Sequence, residues 1–108
     1  MDSVLDTIKK MLGITKDYEY FDQDIIVCIN TALAYLNQIG FITNQSMITD
    51  SSTTWNDIFG DKMNVQEIKS YIGLKTRLLF DPPTNGTIKE AIDNNLSELE
   101  WRINIDSE

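Results

Sequence analysis

From Ile25 through Thr49 the chain runs 25 residues without an Asp, Glu, Lys or Arg, although charged residues make up 24% of the whole. Apolar spacing makes the first part of this run a helix, about Phe21 to Ile39, with Gly40 as its terminator. At about 100° per residue, Phe21, Ile25, Cys28, Ile29, Ala32, Tyr35, Leu36 and Ile39 gather on one side. Ile26 and Leu33 widen that stripe to nearly half the circumference, which predicts a central helix touching several neighbours. Cys28 lies inside the stripe, so a buried and inert thiol is expected. The other face carries Val27, Asn30, Thr31, Ala34, Asn37 and Gln38. Solvated helix faces normally carry charges, whereas interface cores are depleted in them. Asn30, Ala34 and Asn37 are therefore candidate contacts with another subunit or partner, a compositional bias toward Asn, Thr and Ile being the competing explanation. The Asn and Gln residues of the run exclude a bilayer span.

The rest of the chain also reads as helix. Ser3 is an N-cap candidate ahead of Val4, Leu5, Ile8, Met11 and Leu12, a first helix over about 3–12 that stops at Gly13. Residues 14–24 interleave Asp17, Glu19, Asp22 and Asp24 with Tyr18, Tyr20 and Phe21, without the Gly and distal Glu of a calcium loop. These acids read as carboxylates gathered at the positive end of the next helix. Residues 41–54 form an irregular loop or short hairpin, made too apolar for a free linker by Phe41, Ile42, Met47 and Ile48. Thr54 caps one turn holding Trp55, Ile58 and Phe59, closed by Gly60.

A third main helix starts near Asn64, with Val65, Ile68, Ile72, Leu78 and Leu79 as core candidates and Tyr71 and Leu74 broadening the face. Gly73 within it predicts a close helix crossing. Lys69, Lys75 and Arg77 make this the net-basic helix, and pairing with the acidic helices is their expected use. Asp81-Pro82-Pro83 ends it, because proline disfavours helical geometry in the residue before it. Thr87 and Glu90 make a capping box for the last helix, about 87–104, with Ile88, Ala91, Ile92, Leu96, Leu99 and Ile103 on its core side. Trp101 projects opposite, beside Glu90, Asn94 and Ser97. It is either covered by another segment or kept as an anchor for a partner.

The expected fold is all-α, one domain over 1–108: a small bundle of four main helices, with the loop or hairpin between the second and third. A chain of 108 residues suits one core. Seventeen acids against nine bases give a net charge of −8, which disfavours tight sequence-independent binding of nucleic acid. There is no histidine, so His-based triads, bases and metal ligands are excluded; the single cysteine excludes an internal disulfide. No apolar run approaches the roughly 20 residues of a membrane span, and no basic-then-apolar leader opens the chain. No catalytic, cofactor or metal residues are expected, and no enzymatic activity.

Several segments carry a family resemblance. Lys9-Lys10-Met11-Leu12-Gly13-Ile14, the acidic lead-in, and the Ile29…Ala32…Leu36…Gly40 helix resemble phage head–tail connectors. So do Leu74-Lys75-Thr76-Arg77-Leu78-Leu79-Phe80-Asp81-Pro82-Pro83 and Glu98-Leu99-Glu100-Trp101-Arg102-Ile103-Asn104, which are similar to the branch found in phages and prophages of low-GC Gram-positive bacteria. The resemblance covers roughly residues 5–104 and implies a non-enzymatic, all-helical adaptor. Members form a ring of about a dozen copies beneath the portal, a cyclic assembly whose contacts are heterologous. The resemblance further implies that the ring extends the DNA channel without sequence-specific binding and docks a tail-side stopper. The expected location is the virion head–tail junction, and the host cytoplasm during assembly. The alternative is a small acidic cytoplasmic regulator that sequesters a protein partner. A DNA mimic would spread its carboxylates across one face, yet six fall among residues 1–24 and seven among 81–108.

Overall fold

The computed structural model describes residues 3–40, 44, 47–60 and 65–106. Among them run five helices in chain order: α1 (Val4–Met11), α2 (Asp22–Gln38), the one-turn α3 (Trp55–Phe59), α4 (Val65–Phe80) and α5 (Gly86–Asp106). The described residues contain no strand, only an isolated antiparallel bridge between Ser3 and Thr54. The fold is an all-α bundle. α4 is its shared element, packed against α2, α5 and α1.

Local chemistry sets the ends of these helices. The Ser3 hydroxyl accepts from the Asp6 amide at 3.3 Å and caps α1. α3 has a complete capping box, Thr54 accepting from the Asp57 amide at 3.1 Å and Asp57 from the Thr54 amide at 2.9 Å. Gly40 and Gly60 take positive φ values of 105° and 58° after α2 and α3, a backbone geometry that side chains disfavour. The cap of α5 differs from the expectation on Thr87 and Glu90. Asn85 does the work, its side-chain oxygen accepting from the amides of Thr87 at 2.8 Å and Ile88 at 3.2 Å. Asn64, Phe41 and Ile42 lie outside the described residues, as does the side chain of Val65.

The core joins Val4, Leu5 and Ile8 of α1 to Ile25, Ile29, Leu33 and Leu36 of α2 and to Ile68, Tyr71 and Ile72 of α4. α3 covers one end of it. Trp55 and Phe59 stack with ring centres 5.7 Å apart, and the indole N–H donates to the Thr7 hydroxyl at 3.0 Å. Several residues expected in the core lie at its edge instead. Met11, Tyr35, Leu79, Ile88 and Ala91 are exposed, because each helix meets fewer neighbours than its apolar stripe allows. α5 in particular buries only a narrow ridge, Ile92, Leu96 and Ile103 with Leu99 partly covered. The basic side chains of α4 also depart from expectation. Lys69 lies 5.4 Å from the Trp55 ring centre and Lys75 lies 4.2 Å from that of Tyr35, so among the described residues aromatic faces rather than carboxylates receive them. Gly73 is buried as the close crossing requires, with the Met11 thioether where a β-carbon would go.

Two polar contacts sit deep among these helices. The first is Lys9, which is 1% exposed. Its ammonium donates to the carbonyls of Lys16 at 3.0 Å and Tyr18 at 2.7 Å, and the Asp22 carboxylate balances its charge as an ion pair at 2.8 Å. The second is the buried Tyr71, whose hydroxyl donates to Glu100 at 3.0 Å and ties α4 to α5. Burial, and then the Glu100 charge, push the Tyr71 pKa far above its usual value near 10.

Both contacts have measurable consequences. Lys9→Met should lower stability by about 3 kcal/mol in a urea melt, because it strands the carboxylate and two carbonyls. For Tyr71, folding holds the proton that the unfolded chain releases above its ordinary pKa. Stability from this group is therefore full below about pH 10 and falls above it by about 1.4 kcal/mol per pH unit. Tyr71→Phe should cost about 1 kcal/mol at neutral pH and flatten that alkaline decline in thermal melts.

Candidate functional site

Three consecutive apolar residues at the end of a helix cannot all face one core, since each is turned about 100° from the last. Leu78-Leu79-Phe80 ends α4 in this way. Leu78 packs inward, while Leu79 and Phe80 help to wall an open groove of about 750 Å³. Leu12 at the end of α1, Ile14 and Phe21 from the α1–α2 connection, and Val27 and Cys28 of α2 complete the wall. Exposed carboxylates of Asp24 and Asp81 border it. The Phe21 and Phe80 rings of the wall meet edge to face at 5.5 Å, and Tyr20 packs on Phe21 at 4.8 Å.

Lys9 builds one side of this groove from within. Its bonds to the carbonyls of residues 16 and 18 curl the α1–α2 connection back over α1. Asp22 sits in the first turn of α2, and its ion pair fixes the start of that helix against α1. Cys28 belongs to the groove wall, half-buried, rather than to the core interior expected for it. Burial and the nearby Asp24 charge raise its pKa, so the thiol stays protonated at neutral pH.

The four residues singled out from sequence are divided between two surfaces. Asn30 is held inside its own subunit. Its amide donates to the Ile48 carbonyl at 3.1 Å and accepts from the Ile48 amide at 2.7 Å, which clamps the segment after α2. Asn37 donates to the Leu33 carbonyl at 2.8 Å and is half-buried. Ala34 is exposed on α2, and Trp101 is 66% exposed on α5. Ala34 and Trp101 thus lie exposed on two different helices, both of which pack on α4.

The uncharged face of α2 is real but narrower than its sequence implied. Val27, Ala34 and Gln38 are exposed and Thr31 is half-exposed, whereas the Asn30 edge is occupied. Val27 and Ala34 are seven residues apart, hence nearly in line and about 10 Å apart along the axis. The strip therefore leads straight from the groove. Sequence reasoning placed Leu79 in the core and missed this concavity. The consecutive apolar residues ending α4 were its available signal.

An apolar groove, an uncharged strip leading from it and a projecting indole are the equipment of a protein that holds other proteins. The family model described as phage connector protein matches residues 4–108. This chain therefore belongs to the phage connector protein family, and its role is that of a connector among virion proteins. No curated protein and no solved structure matches it. Among the described residues, no helix is long and apolar enough to cross a membrane.

Trp101→Ala should leave the melting midpoint of the isolated chain nearly unchanged, within about 1 kcal/mol, as for other exposed positions. Asn30→Ala, which unpairs both backbone groups of Ile48, should cost about 2 kcal/mol in the same measurement.

Proposed function

We propose that the protein is a non-catalytic ring adaptor at the head–tail junction, acting as one domain. About a dozen copies pack side by side in a closed cyclic ring. The ring sits beneath the portal, extends the channel through which DNA passes, and presents a surface to a tail-side stopper. Family membership supports this reading, and one observation carries it. The chain leaves an uncharged strip on α2 and a tryptophan on α5 exposed, two different patches of the kind a head-to-tail ring contact joins. The net charge of −8 suits a wall along which DNA slides without sticking.

Deleting the coding sequence from a phage that carries it should give DNA-filled heads and unattached tails by electron microscopy. Normal tailed particles from the deletion would overturn the adaptor reading. A milder variant addresses the strip on α2. Ala34→Arg places its charge in solvent in the monomer and buries it unpaired only on assembly. The variant should therefore fold normally by circular dichroism and form no rings under negative stain. Wild-type rings from Ala34→Arg would remove this strip from the interface.

A further inference from the structure

Cyclic assembly joins two different patches of one chain, and a projecting anchor needs a receiving concavity on the neighbour. We propose that the groove between α1, α2 and the end of α4 receives Trp101 of a second copy, whose α5 lies along the uncharged strip of α2. This inference rests on the ring reading above and names its interface.

Four observations support that occupant. The indole is 66% exposed, so a subunit does not fill its own groove. The Tyr71–Glu100 hydrogen bond sets the adjacent Trp101 beside the middle of α4, whereas the groove lies at the Phe80 end. Nine residues of helix separate the two, about 14 Å along the axis. Anchor and groove are thus displaced from each other, as a head-to-tail contact needs. The spacing also matches. Trp101, Ser97 and Asn94 descend one side of α5 at the same four- and seven-residue intervals as Val27, Thr31 and Ala34 on α2. With Trp101 seated near Val27, Asn94 lies over Ala34, so an uncharged side chain meets a small one there. The charges agree too. Arg102 adjoins Trp101, its one ion pair among the described residues being an exposed one to Glu98 that exchanges readily, while Asp24 and Asp81 border the groove.

Two variants separate the anchor from its receptor. Trp101→Ala removes the anchor and leaves the groove, while Val27→Asp charges the groove wall at a position 64% exposed and leaves the anchor. Leu79→Asp, on the opposite wall and 45% exposed, is a second variant of the groove. Circular dichroism confirms that each is folded. Sedimentation velocity is then run up to millimolar subunit, where even a millimolar dissociation constant populates the complex. Wild-type chain should associate, and each variant alone should do so at least tenfold more weakly. Mixing the anchor-less with a groove-less variant should give a one-to-one dimer that grows no further, because one anchor and one groove remain and they pair once. A wild-type chain that stays monomeric, a mixture that stays monomeric, or single variants that associate like wild type would each overturn the pairing. In the first two cases Trp101 serves a portal or tail-side protein instead. The deletion phenotype is independent of these results, so the interface can fail while the adaptor reading stands.

Discussion

One buried ammonium holds the first half of this protein in place. Lys9 ends in a site made of two backbone carbonyls and the Asp22 carboxylate, all within 3.0 Å of its nitrogen. An ion removed from water is tolerated only when its donors are satisfied and its charge is balanced. Those demands dictate the path of residues 13–21, which must bring the carbonyls of 16 and 18 to one point. They also dictate where α2 begins. With that start fixed, Ile25 and Ile29 face α1 and α4, and Ile14, Phe21 and Val27 are left to wall the groove.

The second organising element is α4. It lies against α1, α2 and α5, and the ring of Tyr71 and the methyls of Ile68 and Ile72 are fully enclosed there. α5 adds length more than core. Its ridge of Ile92, Leu96 and Ile103 faces α4, the Tyr71–Glu100 bond pins its C-terminal half, and most of its other described side chains are exposed. A 21-residue helix held along one edge presents a long outer face. In the proposed ring that outer face is free for a neighbour, because it has no role in the monomer's own core.

The charge distribution follows from the same division of labour. Two lysines of α4 lie over aromatic rings, which supports α3 and Tyr35. The acids collect around the α1–α2 connection and along α5. Between them the exposed strip of α2 carries no charge. In the proposed ring, a contact there removes no charge of the α2 strip itself from water.

Much of this was legible in the residues themselves. Apolar spacing located all five helices, glycines marked the ends of α2 and α3, and the Asp-Pro-Pro run marked the end of α4. These are local effects, decided by backbone sterics and by which side of a helix is apolar. The partial family resemblance rests on the same kind of contiguous segment. The burial of Lys9 was not legible, since a lysine beside an apolar stripe is ordinarily solvated; only the return of residues 16, 18 and 22 gives it partners. Asn30 looked like surface for a similar reason, its partner at Ile48 being 18 residues away. Leu79, Ile88 and Tyr35 looked like core, and the packing left them out. Periodicity records which residues share a side of a helix, whereas burial depends on how much of that side a neighbour covers. The groove exists only where α1, α2 and α4 meet, so tertiary structure alone decided it.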